Sequence, residues 1–237
     1  KIIDHMEIFR DYEQHLPTFN SSSIHSMIWR IKGLSERFVY FNDDEILIRE
    51  LREEDWFIGD RPVLMGRWLL PPYRRYAISK LKVLINRHLR NNKDYRPRIS
   101  FYIRQWKSAS LPGFRRRYFF HDHSPHPFNK KTLEEYFTAH PGVLEKTISY
   151  RFPDPDQVLV SSLAYHLEIL KGNRNFRKIR LGYFHPWYPD WRLYKRIRRC
   201  GNDTRIKFIC VQNIEMLSQP VRKKIVSFIN SVLNLKA

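Results

Sequence analysis

Residues 37–44 read RFVYFNDD, a run of β-branched and aromatic side chains that stops abruptly at three polar ones. Such a run reads as a buried strand, and polar residues at the exit of a hydrophobic strand stand where open α/β sheets bind ligands. Just upstream, HLPTFNSSSIHSMIWRIKGL (15–34) offers Asn20 or Ser21 as a helix cap, with Ile24, Ile28 and Ile31 at helical spacing up to Gly33. A short amphipathic helix feeding a strand with a polar exit predicts an α/β fold.

The same reading extends along the chain. From Tyr76 to Asn92, Ala77, Ile78, Leu81, Leu84, Ile85 and Leu89 recur at three and four, with Lys80, Lys82, Arg87 and Arg90 among the other positions, predicting a basic amphipathic helix. RQWKSASLPGFRRRYFF (104–120) mixes arginines and aromatics around Pro112-Gly113 and gives no clear element. A helix is expected from Lys130, where Thr132 and Glu135 have capping-box spacing, and another from Gln157 to Lys171, closed by Gly172. YFHPWYPDWRLYKRIRR (183–199) reads as proline-broken and basic. A strand, IKFICVQ (206–212), and a helix from about Pro220 to Leu235 follow. Ile2 and Ile3 read as strand, and because the chain opens there without a Met, its natural N-terminus is expected to lie further upstream.

The 237 residues, 42% hydrophobic and 15% aromatic, exclude a disordered or low-complexity chain. Net charge is +19, concentrated in two stretches: residues 61–120 carry +15 and residues 174–237 carry +12. The blocks between them are mildly acidic. This alternation suggests carboxylate chemistry in one place and an anionic partner in another, whether a phosphate-rich polymer, a nucleic acid or a membrane surface. Two cysteines, Cys200 and Cys210, are too few for a disulfide scaffold and favour a reducing compartment. No apolar run has membrane-spanning length, and KIIDHMEIF lacks the marks of a signal peptide.

Asn42, Asp43 and Asp44 are hard oxygen ligands that a strand exit would aim into a cleft, where Mg²⁺ or Mn²⁺ could bridge them to a diphosphate; the plainer reading is a solvated turn. His121, Asp122, His123 and His126 make a cluster that fits a metal site, a general base or a histidine-rich loop, and Pro125 and Pro127 argue against a regular helix there. Arg151, in SYRFPDPDQ, suits a bidentate phosphate contact or local pairing with Asp154 or Asp156.

Residues 16–44, LPTFNSSSIHSMIWRIKGLSERFVYFNDD, closely resemble the second signature region of the Stealth family, which includes bacterial capsule polymerases and the animal GlcNAc-1-phosphotransferase. HDHSPHPFNKKTLEEYF (121–137) is similar to the third region, with His123 and Pro125 on its His-x-Pro and Ser124 in place of the usual methionine. KTISYRFPDPDQ (146–157) resembles the family's arginine segment. IKFICVQNIE resembles the fourth region more weakly, since Gln212-Asn213 replaces the frequent Asn-Asp. The first region is absent from this chain.

The resemblance implies an α/β fold, Rossmann-like or GT-A-like, with a mixed sheet flanked by helices and basic helical additions. Residues 1–237 would be the catalytic domain without its first region, 61–120 a basic helical insertion and 174–204 a basic aromatic segment; the charge arithmetic further places Tyr76–Asn92 and residues 174–199 outside the catalytic core. It implies transfer of a hexose 1-phosphate from a UDP-hexose donor, such as UDP-GlcNAc, to a saccharide or phosphate-linked polysaccharide, with release of UMP. His123 would be the base, Asp43 and Asp44 would hold Mg²⁺ or Mn²⁺, and Arg151 would bind phosphate, with Asn20 and Asn42 as further donor contacts. The expected location is cytoplasmic, at the inner membrane, whose anionic surface is a further candidate partner. A glycosyltransferase releasing UDP uses the same carboxylates. A basic nucleic-acid-binding protein fits the charge but leaves Asn42–Asp44 unexplained, so no nucleic acid is expected.

Overall fold

A computed structural model describes residues 1–92, 95 and 100–234 of the chain. The expected end of the last helix at Leu235, and residues 93–94 and 96–99 of the basic stretch, lie outside these. In chain order the elements are α1 (His5–Ile8), α2 (Ser21–Met27), β1 (Arg37–Tyr40), β2 (Glu45–Leu47), β3 (Phe57–Ile58), β4 (Arg61–Pro62), β5 (Leu64–Met65), β6 (Arg67–Leu69), α3 (Tyr73–Leu84) and α4 (Phe101–Ser110). There follow β7 (Tyr118–Phe120), β8 (His126–Asn129), α5 (Lys130–Ala139), α6 (Pro141–Ile148), α7 (Val160–Leu170), β9 (Phe176–Arg177), β10 (Leu181–Phe184), α8 (Asp190–Asn202), β11 (Phe208–Val211) and α9 (Gln219–Leu233). The fold is α/β, with small mixed sheets. Ile2 and Ile3 form no strand, and among the described residues no helix is long and apolar enough to cross a membrane.

The chain divides into two compact units. The first comprises Lys1–Phe38, Arg67–Phe120 and Phe128–Arg174. Its core gathers Tyr118, Phe119 and Phe120 of β7, which pairs antiparallel with β6, and Leu163 and Tyr165 of α7. His166, on the same helix, is spoken for on both ring nitrogens: Nδ1 donates to the Ser162 carbonyl at 2.6 Å and Nε2 accepts the Phe119 N–H at 2.9 Å. Burial outweighs the Ser162 bond and pushes its pKa down to about 4. The capping box expected at Thr132 is not formed. Asn129 occupies the cap position, and the Thr132 hydroxyl instead donates to Glu168 of α7 at 2.6 Å, because a buried carboxylate needs donors more than an exposed helix start does. The predicted basic helix begins earlier, at Tyr73, and ends in a π turn, Ile85–Leu89. Residues 104–120, unreadable in sequence, hold the end of α4 and β7.

The second unit comprises Val39–Gly66, His121–Pro127 and Asn175–Ala237. Its sheet runs β10-β11-β2, with β10 parallel and β2 antiparallel to β11. β11 reads Phe-Ile-Cys-Val and is buried on both faces. Ile209 and Val211 join Phe184, Leu193, Ile197, Val221 and Ile225 in one core, while Phe208 packs with Val63 and Met65. Burying side chains of the size of Phe184 or Ile209 contributes about 2 kcal/mol each. Helix α8 presses its Leu193-Ile197-Cys200 stripe against the sheet and leaves Arg192, Arg198 and Arg199 exposed, while the half-buried Arg196 donates to the Tyr183 carbonyl of β10. Gly182 lets it come close: a Cβ there would collide with Cys200 Sγ and lie 2.7 Å from Ile209 Cγ2. The segment 174–204, expected as a basic aromatic segment, holds strand β10 of the sheet and the helix that covers it. Likewise, residues 61–66 of the expected basic insertion belong to this unit, and β5 pairs with β9. β1 is the larger correction. It is half-exposed rather than buried and pairs with β8 in a two-stranded ladder instead of entering the three-stranded sheet.

Candidate functional site

In the second unit, the turn from β1 into β2 is built around Glu45. The Asn42 backbone N–H and side-chain amide donate to its two oxygens at 3.0 and 3.1 Å, and the Tyr40 hydroxyl donates to Asn42 Oδ1 at 3.0 Å. Burial pushes the Glu45 pKa up to about 7; the Asn42 bonds oppose the rise, and the charges of Asp44 and Asp43 add to it. Burial, then Glu45, Asp43 and Asp44, push the Tyr40 hydroxyl up as well. Asp44 is anchored at both ends. Its carbonyl accepts the Val211 N–H at 2.8 Å and its Oδ2 accepts the Cys210 thiol at 3.4 Å. Burial and the Asp44 charge push that thiol far up, so Cys210 stays protonated and donates. Cys200 is likewise a buried free thiol.

His123 lies in the field of the same carboxylate. Burial draws its pKa below the ordinary histidine value, while Asp44 and Asp122 pull it back up. Its ring stacks on Tyr183, with centroids 5.5 Å apart and planes 10° off parallel, and Gln212 Nε2 lies 3.2 Å from its Nδ1. The Tyr183 hydroxyl donates to Gln212 Oε1 at 2.6 Å. A phenol both donates and accepts, so turning the Gln212 amide keeps this chain satisfied while placing Oε1 on Nδ1–H and a lone pair on Nε2. His121 and His126 are buried with their rings edge-on at 4.3 Å. Among the described residues no three His, Cys, Asp or Glu are grouped to hold a metal ion. Asp43 and Asp44 are hard oxygen donors of the kind that magnesium takes, two carboxylates that would leave most of its coordination positions to water and phosphate.

Asn20 and Arg151 lie in the first unit. Asn20 caps α2 by accepting the Ser22 N–H at 3.1 Å, and its amide donates to the Tyr150 carbonyl and to Gln157 Oε1, each at 2.9 Å. Gln157 in turn donates to Ser23 Oγ and the Thr147 carbonyl, and so stays outside α7, which begins at Val160. Asn20, expected as a donor contact, has no exposed surface, and its amide ties the α2 entrance to residues 147–157. Arg151 is exposed, with its guanidinium 5.4 Å over the Phe19 ring, which stacks on Phe152. The carboxylates offered as its alternative partners are engaged elsewhere, since Asp156 pairs with Lys107 and Asp154 accepts the Asp156 N–H.

Sequence reasoning missed Glu45, Cys210, Tyr183 and Gln212. Glu45 directly follows the acidic pair and Gln212 directly follows a buried strand, so both had a local signal; Tyr183, inside a proline-broken stretch, had none.

Residues 1–63 match the family model described as Stealth protein CR2, conserved region 2. An exopolysaccharide phosphotransferase of Streptomyces coelicolor is 30% identical over 167 residues, covering 70% of this chain and 26% of that protein. A capsular polysaccharide phosphotransferase of Streptococcus thermophilus is 38% identical over 87 residues, covering 35% of this chain and 37% of its own. A receptor polysaccharide phosphotransferase of Streptococcus oralis is 29% identical over 181 residues, covering 69% of this chain and 52% of its own. The chain thus spans between about a quarter and about half of the length of these relatives.

Proposed function

The chain belongs to the Stealth family, and on that footing we propose that it transfers a hexose 1-phosphate from a UDP-hexose to a saccharide hydroxyl in the synthesis of a capsular or other cell-surface polysaccharide. The acceptor oxygen attacks the β-phosphorus, the bond from that phosphorus to the bridging oxygen breaks, and UMP leaves. The bond between sugar and phosphate is untouched. His123 takes the proton of the acceptor hydroxyl on Nε2, with Gln212 accepting Nδ1–H and Tyr183 fixing the ring plane. Asp44 stabilises the imidazolium that results. Asp43 and Asp44 would hold Mg²⁺ or Mn²⁺, which neutralises charge on the diphosphate oxygens. Asn42 holds Glu45 and shapes the turn, and Arg151 binds phosphate through its exposed fork.

What carries the reading is His123: it stands on the family's His-x-Pro position, burial holds its ring toward the neutral form, and an aspartate accompanies it in the same unit. The proposed workplace is the cytoplasmic face of the inner membrane. Product analysis with the full-length protein tests the reaction. UMP formation from a UDP-hexose in the presence of a saccharide acceptor is the expected result, whereas UDP would mean glycosyl transfer and would overturn it.

A further inference from the structure

In the first unit, α3, α4 and the turn at residues 154–156 enclose a cavity of about 1010 Å³, the size of a small-molecule site. Its polar wall sets Arg104, Lys107, Lys80 and Arg87 against Asp154 and Asp156. Lys107 pairs with Asp156, and Arg87 Nε donates to the Tyr95 carbonyl at 3.4 Å. Arg104 stands apart. One of its terminal nitrogens donates to Ser22 Oγ at 2.7 Å, its Nε is buried without an acceptor, and no ion pair to it occurs among the described residues. Burial pushes its pKa down to about 10, against the pull of Asp154. Nearby His25 is driven down to about 4 by burial and by the Arg104 charge.

A guanidinium drawn largely out of water, with a carboxylate in its field but none in ion-pair contact among the described residues, is a standing cost, and a ligand with several anionic oxygens removes that cost. The planar fork suits phosphate in particular. The wall also has an apolar part, with Leu81 and Leu84, each more than half exposed, together with Val83 and Ile103, while Ser79, His88 and Ser100 add polar lining. Tyr76 stands at the border, its ring centroid 4.9 Å from the Lys80 ammonium and 5.4 Å from that of Lys107.

We propose that this cavity binds a phosphate group carried on an apolar body, with Arg104 as the anchoring fork and Lys80 and Lys107 flanking it. The basic stretch then has a built site for one ligand chemistry instead of a diffuse charged face. The argument uses only residues of the first unit and no step of the transfer reaction, so it can fail while the proposed function stands, and the reverse.

The test is calorimetric titration of the full-length protein with inorganic phosphate and with short-chain phosphatidic acid, alongside flotation with phosphatidylcholine vesicles with and without phosphatidylglycerol. Phosphatidate should bind more tightly than inorganic phosphate. Arg104→Gln and Lys107→Gln should each weaken that binding by roughly tenfold or more, the scale of a lost charge-assisted contact, and Arg104→Lys should fall between. Arg205→Gln, an exposed change in the second unit, should alter neither. Melting curves accompany each variant; if Arg104→Gln unfolds the protein, Lys107→Gln and Lys80→Gln decide. Vesicle binding that needs Arg104 identifies a lipid headgroup as the source, and soluble phosphatidate binding without vesicle binding identifies a free phosphorylated molecule; both support the site. Absence of saturable binding, or equal weakening by Arg205→Gln, would overturn it.

Discussion

The buried polar cluster around Asn20 and the one around Asp44 answer opposite demands with similar residues. At Asn20 the polar atoms have partners of matching kind: an amide, a glutamine, a serine and the Tyr150 and Thr147 backbone carbonyls close on one another with no net charge. At Asp44 three carboxylates crowd one turn, a glutamate is pushed toward neutrality, and the thiol and phenol beside them are held protonated. A satisfied network adds rigidity and offers nothing to a ligand. A repulsive one is held in place by the sheet and is relieved when positive charge or a proton arrives, which is the condition for binding and catalysis.

This contrast breaks if mutations on the two sides act alike. The largest expected effect is at His123, where His123→Ala should lower turnover by roughly a hundredfold to ten-thousandfold while the donor still binds, as loss of a general base does. Asp43→Ala and Asp44→Ala should each cost about a hundredfold with little change in melting temperature. If either instead shifts the melting curve by many degrees, the turn is structural. Asn20→Ala should show the reverse signature, because it removes a helix cap and takes from Gln157 Oε1 and the Tyr150 carbonyl the donor that Asn20 supplies. A loss of about 3 kcal/mol in chemical denaturation is expected, and a fully stable variant would mean the network is dispensable.

Acid should sharpen the comparison from the scaffold side. His166 is depressed from 6.5 to about 4 in the folded protein, so the unfolded chain binds its proton first. Its contribution to stability is complete above about pH 6.5 and is lost as pH falls toward and through 4. Melting temperature should drop across that window, and less steeply in a His166→Gln variant; parallel curves would place the acid sensitivity elsewhere. The smallest effect is expected at Ser124, whose hydroxyl is fully buried without a hydrogen-bond partner at the position where the family usually has methionine. Ser124→Ala should be neutral or stabilising by up to about 1 kcal/mol in the same denaturation experiment.

Much of this was legible from local chemistry. The Asn20 cap, the strand at Phe208–Val211, the proline-started last helix and the positive φ of Gly172 that ends α7 all follow from rules acting over a few residues. The failures share one cause. RFVYF looks buried because of what it contains, but whether a strand enters a sheet depends on which partner reaches it, and here that partner is β8. Thr132 and Glu135 have the spacing of a cap, yet Glu168, thirty-six residues away, takes the hydroxyl. Helix α8 was hidden because its apolar stripe is only three residues wide in a run of arginines. In the site, the side chains that aim His123 come from β10 and from the residue after β11, so nothing near His123 in the chain announces them.

Gly182 carries a genetic consequence. A single methyl group at this position would have to push α8 away from the sheet or tip β10, and Tyr183 is the next residue along the strand. A Gly182→Ala allele would therefore loosen the hydrophobic seam and misalign the ring beneath His123 together, and warming would expose both defects at once. Conditional, heat-sensitive alleles should accordingly collect at this glycine, far from the acidic turn in the chain.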